Sequence, residues 1–197
     1  MPLTTQPLIP DTWPAFETLV EAHNGVFGGC WCLSFHAEGK PGTLSYDARR
    51  EAKQARVASG EAHAALVYEG EACVGWCQFG APAEVPRIKN RKNYEAELVM
   101  LPDWRITCFF VDRHHRKQGV AAAALEGALK QIARLGGGTV EAYPEDTAGK
   151  MVSPTFLHAG TLAMFEAAGF VRQRQIGKNK WVVTKPIRAS RAAAVTG

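Results

Sequence analysis

The chain has 197 residues, of which 46% are hydrophobic and 21% are charged, a composition that lets one domain bury a sizeable core. Its formal net charge of +4 suits an anionic ligand but is too small for a protein that coats nucleic acid. No basic region followed by a long apolar run opens the chain, and no apolar stretch reaches the roughly 18 residues of a membrane span. We therefore expect a single cytoplasmic domain over residues 1–187.

The cysteines of the chain are odd in number and lie among apolar and aromatic neighbours, which suits buried thiols in a reducing compartment. They are Cys30, Cys32, Cys73, Cys77 and Cys108. A metal site that combines the first four with His36 is an alternative, but neither pair has the CxxC spacing of a zinc knuckle. We therefore predict buried thiols and no metal site.

The N-terminal half of the chain predicts two helices and an antiparallel hairpin. In chain order the elements are a strand at 3–8, a helix from 11 or 12 to 24, an irregular partly buried segment at 28–36, a helix at 43–58, and strands at 64–68 and 72–79. Residues 82–102 predict a long loop with at most a short helical piece. Its basic run at 87–92 is interpreted as a solvated face.

The C-terminal half predicts a strand, helix, strand unit, whose two strands should be parallel with a right-handed crossover. Its elements are a strand at 104–111, a polar turn at 112–118, an amphipathic helix at 119–135, a strand at 139–143, a short helix at 161–168, and closing strands at 170–175 and 180–185. The alanine-rich tail at 188–197 is expected to be frayed.

The turn between the first strand and the helix of this unit is suited to bind a phosphate group. Its backbone N–H groups stand at the positive end of the helix dipole, and Gly119 lets an anion approach the backbone closely. Ala121 and Ala122 leave the approach open, while Arg116 and Lys117 add positive charge at the rim. The turn matches neither a Walker loop nor a Rossmann fingerprint.

This turn has the form RxxGxA, which resembles the cofactor motif of the GNAT superfamily of N-acetyltransferases. Upstream, Phe109-Phe110-Val111 resembles the strand that contacts the pantetheine arm, and downstream, residues 164–170 are similar to the family's helix that closes on Gly-Phe. The resemblance implies an α/β (α+β) fold with a mixed, strongly twisted sheet of six to seven strands flanked by helices. Two parallel central strands, 104–111 and 139–143, would splay apart around the thioester of acyl-CoA.

The resemblance also implies an activity, which is transfer of an acetyl group from acetyl-CoA to a primary amine of a small molecule or a protein. The amine would attack directly, without a covalent enzyme intermediate. Main-chain N–H groups, which Phe110 and Val111 could supply, would stabilise the charge that develops on the carbonyl oxygen. The implied cofactor-binding residues are Phe110, Val111, Arg116, Lys117, Gln118, Gly119, Val120, Ala121 and Ala122.

Proton transfer is where the chain departs from the family pattern. The position of the family's tyrosine general acid is Phe165, and that of a commonly found asparagine is His158. The remaining candidates for acid or base are Glu141, Tyr143 and His158, with Glu97 in the long loop, although surface or packing roles are commoner for each. Other polar residues of the turn, Arg113 to His115, are interpreted as exposed.

Two other classes of function stay open at this point. The missing tyrosine favours a catalytically weak module that binds or senses acyl-CoA on the same fold. A nucleic-acid-binding protein is suggested by the isoelectric point near 8.9 and the 87–92 run, but the chain lacks a recognition helix or an aromatic RNA motif. We therefore predict no nucleic-acid or membrane partner, and we consider a homodimer through exposed edge strands plausible.

Overall fold

A mixed sheet of seven strands forms the centre of the computed structural model, which describes residues 2–40, 42–149 and 158–190. The strands are β1 (Leu3–Pro7), β2 (His63–Glu69), β3 (Ala72–Gly80), β4 (Trp104–Val111), β5 (Gly138–Ala142), β6 (Val171–Gln175) and β7 (Trp181–Ile187). Their spatial order is β1-β2-β3-β4-β5-β7-β6, and only β4 and β5 pair in parallel. The predicted fold class, a mixed sheet with one central parallel pair, is confirmed.

Helices cover both faces of the sheet. They are α1 (Trp13–Glu21), α2 (Tyr46–Ala58), α3 (Arg91–Ala96), α4 (Val120–Arg134) and α5 (Leu162–Ala167). The second helix begins three residues later than the sequence predicts, because the Ser45 hydroxyl accepts a hydrogen bond from Ala48 N at 3.2 Å and caps the helix there. The short helical piece predicted within 82–102 is α3.

Alternation along β2 divides its buried side chains between two cores on opposite faces of the sheet. Ala65 and Val67 on β2 face the core under α4, together with Leu125 and Ile132 of that helix. The intervening Leu66 belongs to the opposite core, which contains α1 and the segment that follows it. The amphipathic pattern of α4 is therefore explained by its position across the first four strands.

The parallel pair at the centre of the sheet is hydrogen-bonded over only part of its length. The register joins Trp104 to Val140 and continues to Ile106 opposite Ala142, where β5 ends. Beyond Ile106, β4 continues to Val111, and β3 is its only partner among the described strands. The strands β4 and β5 therefore part, and no described strand pairs with the edge of β4 that faces away from β3 along its C-terminal half.

The segment between α1 and α2 has an unusual backbone. Five of its non-glycine residues have positive φ angles between 40° and 56°: Asn24, Val26, Phe27, Trp31 and Cys32. Such angles are unfavourable for β-branched and aromatic residues, so the surrounding packing must hold them. Trp31, for example, is fully buried and stacks on Trp13 at 6.2 Å between ring centroids. The sequence predicts a loop or an irregular strand here, and the structure has a chain of turns.

Parts of two predicted elements lie outside the described residues, namely 150–157 of the loop before α5 and 191–197 of the tail. The described start of the tail is not frayed, because Ser190 N donates to Ala133 O at 2.8 Å and ties the chain to the end of α4. Within the described ranges, no helix is long and apolar enough to cross a membrane.

Gly75 sets the spacing between β3 and β4. A Cβ atom at this position would lie 2.6 Å from Phe110 O and 2.8 Å from a Val120 methyl group, closer than real Cβ contacts. We expect Gly75→Ala to lower the free energy of unfolding by about 1–3 kcal/mol, as overpacking does. Urea unfolding measures this loss.

Gly80→Ala on the same strand is the matched control. Its Cβ would first meet the carboxylate end of Glu84, which can give way by lengthening its hydrogen bonds to His63, whereas the Phe110 carbonyl opposite Gly75 is fixed within the sheet. We therefore expect a smaller loss of stability. Equal losses for the two variants would contradict the assignment of tight backbone spacing to Gly75.

Candidate active site

Two cavities meet where β4 and β5 part. The first, the turn cavity, has a volume of about 600 Å³ and is lined by His23, Val26, Phe27, Phe109, Phe110, Val111, Arg116, Lys117, Ala121, His158, Gly160, Thr161 and Met164. The second, the loop cavity, has about 550 Å³ and is lined by Phe27, Gly28, Cys30, Cys32, Ser34, Phe35, Gly39, Arg87, Ile88, Lys89, Cys108 and His158. Phe27 and His158 belong to both and form the wall between them.

The predicted phosphate turn lies at the rim of the turn cavity. Lys117 and Gly119 have φ angles of 61° and 82°, and this left-handed geometry turns the chain into α4. The first N–H groups of a helix have no intrahelical partner, and no described side chain caps α4. The exposed N-terminus of α4, flanked by the exposed Arg116 and Lys117, is thus free to bind an anion.

The predicted cofactor residues divide into three groups. Phe110, Val111, Arg116, Lys117 and Ala121 line the turn cavity. Gly119 and Ala122 are exposed at the start of α4, where they present backbone N–H groups rather than side chains to a ligand. The side chains of Gln118 and Val120 face elsewhere. The Gln118 amide donates to His114 O at 2.9 Å, and the Val120 side chain is buried beneath α4.

The orientation of the β4 backbone distinguishes the two predicted main-chain donors. Asp112 N donates to Val74 O on β3 at 2.9 Å. In the peptide group that joins Val111 to Asp112, the Val111 carbonyl therefore points away from β3. Within an extended strand the N–H and C=O of one residue share a side, and successive residues alternate. The N–H of Val111 therefore faces the open edge, whereas that of Phe110 faces β3.

Asp112 braces the chain between β4 and the phosphate turn. Its carboxylate contacts His23 Nε2 at 2.9 Å, accepts from His114 N at 2.7 Å and lies 3.2 Å from His115 Nδ1. Partial burial opposes ionisation of Asp112, but these hydrogen bonds outweigh it and lower its pKa to about 2. His23 in turn packs edge-on against Phe110 at 4.9 Å, so this network also positions the turn cavity.

His158 is the predicted acid–base candidate that the structure places at the site. Its ring is half-buried between the cavities and lies 5.8 Å from the ring of Phe27 and 6.4 Å from that of Phe35. The imidazole therefore borders both the space beside the open edge of β4 and the loop cavity.

Glu141 and Tyr143 lie in a separate buried network. The Tyr143 hydroxyl donates to Glu141 Oε1 at 2.5 Å, and the ring of Tyr94 packs edge-on against Tyr143 at 5.6 Å. Burial, with the neighbouring Glu141 charge, raises the pKa of Tyr143 well above its usual value. Neither residue is among the described residues that line the two cavities, and Glu97 is exposed beyond α3.

Phe165 occupies the position where the family pattern has tyrosine. Its ring is fully buried and packs edge-on against Phe109 at 5.9 Å and Phe170 at 4.9 Å. The position therefore contributes packing to α5 and β4, and it has no hydroxyl to donate a proton.

A buried polar cluster behind the loop cavity was not predicted from the sequence. The Lys53 side chain is fully buried, donates to Gln78 Oε1 at 3.2 Å and lies 3.4 Å from His36 Nε2. Burial, reinforced by the Lys53 charge, lowers the pKa of His36 to about 2. His36 is thus neutral, and its Nδ1 donates to Glu84 O at 3.0 Å. On α2, Lys53 occupies a helical position where a lysine is normally solvated, so its burial could not be predicted from the sequence.

Cys32 is the wall residue that connects this cluster with the loop cavity. Burial by itself opposes ionisation of the thiol, but a hydrogen bond with Cys108, the charge of Lys53 and the Trp76 N–H at 3.3 Å lower its pKa to about 7. The hydrogen bond with Cys32, together with burial, raises the pKa of the Cys108 thiol well above its usual value, as its position on the strand predicts. Across the described residues, no group of three or more His, Cys, Asp or Glu is arranged to hold a metal ion.

Sequence comparison identifies the family. The profile of the Acetyltransferase (GNAT) family matches residues 33–149, more than half of the chain. The chain belongs to the GNAT acetyltransferase family. No curated protein sequence matches it.

Solved structures of other acetyltransferases share the fold of this GNAT protein. A histone acetyltransferase HPA2 and related acetyltransferase from Corynebacterium glutamicum is 18% identical with a TM-score of 0.55, covering 98% of this chain and 100% of its own. A phosphinothricin acetyltransferase from Sinorhizobium meliloti, in complex with acetyl-CoA, is 15% identical with a TM-score of 0.53, covering 97% and 91%. The yncA protein of Salmonella typhimurium, with its cofactor acetyl-CoA, is 14% identical with a TM-score of 0.51, covering 98% and 96%.

The electrostatics of Cys32 can be tested by alkylation with iodoacetamide. The thiolate is the reactive form, and Cys32, although only 2% exposed, lines the loop cavity through which the reagent can reach it, so its labelling should rise through about pH 7. Lys53→Met removes the charge that stabilises the thiolate, and we expect it to raise the pKa and slow labelling at pH 7 about 10-fold. Peptide mass spectrometry assigns the label to each cysteine.

Two controls accompany this measurement. Burial raises the pKa of Cys73 to about 12, so this thiol should stay unreactive over the same pH range in the same sample. Lys40→Met removes an exposed lysine and should leave the labelling of Cys32 unchanged. Equal Cys32 labelling in the parent protein and in Lys53→Met would show that Lys53 does not stabilise the thiolate.

Proposed function

We propose that this GNAT protein transfers an acetyl group from acetyl-CoA to a primary amine by direct attack in a ternary complex. The observation that supports this most is the meeting of two cavities at His158, beside the open edge of β4. One cavity has at its rim the N-terminus of α4, which no described side chain caps, and the other is lined mainly by the segment after α1 and by residues 87–89. A donor and an acceptor can therefore occupy separate cavities and meet where the N–H of Val111 is free.

The turn cavity is the proposed site of acetyl-CoA. The N-terminus of α4, from Gly119 to Ala122, would bind the pyrophosphate, with Arg116 and Lys117 adding charge. The open edge of β4 would pair with the amide groups of the pantetheine arm. This role agrees with the Sinorhizobium meliloti and Salmonella typhimurium structures, both of which contain acetyl-CoA.

Two groups of the chain would act on the reacting atoms. The Val111 N–H faces the open edge and would donate to the thioester carbonyl oxygen as negative charge develops there. His158 would accept the proton that the attacking amine loses when the C–N bond forms and the C–S bond to CoA breaks. Glu141 and Tyr143, although predicted candidates, would then act only by holding β5 in place.

A second candidate function is a module that binds acyl-CoA without efficient catalysis. The burial of Phe165 among aromatic rings favours it, because this position has no hydroxyl to protonate the leaving thiolate. The two functions predict the same cofactor binding and differ only in turnover, so separate measurements of binding and transfer distinguish them.

Titration calorimetry with acetyl-CoA tests the proposed cofactor site. We expect the parent protein to bind, and Gly119→Glu to weaken binding by more than about 10-fold, because a carboxylate at the N-terminus of α4 repels the pyrophosphate. Gly119→Ala introduces the same strain at a positive φ angle, without the charge, and no atom lies within 4 Å of its Cβ. It should keep most of the affinity.

Circular dichroism establishes that each variant is folded before it is titrated. Absence of binding by the parent protein would remove both the acetyltransferase and the acyl-CoA-sensing proposals. An equal loss of affinity for acetyl-CoA in Gly119→Ala and Gly119→Glu would show that backbone strain, not charge, weakens binding. The proposed phosphate site would then be unsupported.

The role of His158 is tested by replacing it with asparagine and with alanine. Asparagine keeps a polar side chain but cannot accept the proton, so we expect kcat to fall about 100-fold or more while the Kd for acetyl-CoA stays within about threefold. Alanine should reduce kcat to the same extent. Release of CoA is followed during transfer to a panel of amines.

Retention of the parent kcat by His158→Asn would contradict proton transfer to His158. The acetyltransferase proposal would survive that result, with water or another group as the proton acceptor.

A further inference from the structure

The loop cavity contains two cations that the proposed chemistry does not use. Arg87 and Lys89 line it, together with apolar side chains such as Phe35 and Ile88. The sequence predicts the run at 87–92 as a solvated face, and this holds for the exposed Arg91 and Lys92. Arg87, in contrast, is half-buried in the cavity wall.

Arg87 is fixed in place by the strained segment that precedes α2. Its backbone N–H donates to Phe35 O at 3.1 Å, and its Nε donates to Ser34 O at 3.0 Å. One edge of the guanidinium is therefore anchored, while no described hydrogen bond uses its two terminal nitrogens. A planar guanidinium held in this way presents parallel N–H donors, the arrangement that carboxylates accept.

Neither cation has an acidic partner among the described residues. The carboxylates of the surrounding elements are already paired: Glu38 with Arg56, Glu84 with His63 at 2.7 Å, and Glu145 with Lys180 at 2.7 Å. Lys89 stands exposed at the mouth of the cavity, where partial desolvation, then the charge of Lys180, lower its pKa. A half-buried cation without a counter-charge is costly, and an anionic ligand would remove that cost.

We propose that the acceptor is a small primary amine that carries a carboxylate and an apolar body, with the carboxylate bound by Arg87 and Lys89. This inference rests on the proposed function, because it assigns the loop cavity to the acceptor. The amine would reach His158 on the shared wall, and the apolar body would pack against Phe35 and Ile88. A volume of about 550 Å³ lies in the range of small-molecule sites.

Matched amines that differ only in the carboxylate test the proposal. Transfer of acetyl is compared for 6-aminohexanoate and hexylamine, and for leucine and leucinol, two pairs whose amines have similar basicity. We expect the carboxylate member of at least one pair to have a KM about 10- to 100-fold lower, as a charge-assisted hydrogen bond provides. Binding of the same amines to the CoA-saturated protein is measured by calorimetry, so that affinity is known even where transfer is slow.

Variants then assign the preference to the two cations. Arg87→Met should raise the KM and the Kd for the carboxylate member about 10-fold or more and should not raise those for the member that lacks a carboxylate, which removes the discrimination. Arg87→Lys should restore part of it, since a charge remains. Lys89→Met should have a smaller effect in the same direction, and Lys92→Met, an exposed lysine of the same run, should have none.

The outcomes separate this inference from the proposed function. The carboxylate-bearing acceptor is overturned if amines without a carboxylate are acetylated as well as or better than those with one, or if peptide N-termini are preferred. Either result leaves the acetyltransferase proposal intact. Absence of amine binding to the CoA-saturated protein also overturns it. Failure to bind acetyl-CoA removes the proposed function itself. Unchanged affinity for acetyl-CoA in Arg87→Met shows that the variant is folded and that its effect is confined to the acceptor.

Discussion

Incomplete pairing of β4 is the constraint on which the site depends. The strand pairs with β5 from Trp104 to Ile106, and no strand in the described part of the chain pairs with the remainder of that edge. The open edge is costly unless a ligand or solvent satisfies it, so the parting of the strands creates both space and hydrogen-bonding demand. The buried pair of Glu141 and Tyr143 lies at the end of β5, where the strands separate, and helps to fix that point.

The strained segment between α1 and α2 is the second element that shapes the site. It contributes Phe27 to the wall between the cavities and Cys32 to the loop cavity, both at positive φ angles. Residues in this conformation persist only where packing holds them, and the buried Trp31 supplies much of that packing. The same segment anchors Arg87, so one irregular stretch positions parts of both cavities.

The sequence predicted the centre of the fold better than the walls of the site. The unit from β4 through α4 to β5 follows from periodicity, since each element buries one face regularly and the turn has a recognisable phosphate-binding form. The segment at 28–36 has no period, and its backbone is set by contacts distant in the chain. Likewise, nothing local distinguishes the buried Lys53 from a solvated lysine, or Arg87 from Arg91, because burial there results from the tertiary arrangement.

The distribution of charge connects the two proposals. Arg116 and Lys117 stand at one cavity, and Arg87 and Lys89 stand at the other, so both approaches to His158 are basic. An acceptor amine arrives as a cation, and the positive charges of these four side chains repel it. A carboxylate on the same molecule would offset this repulsion by binding Arg87 and Lys89. The loop cavity would therefore admit an amine that carries a carboxylate more readily than one that lacks it, so selection of the acceptor would follow from the arrangement of these cations.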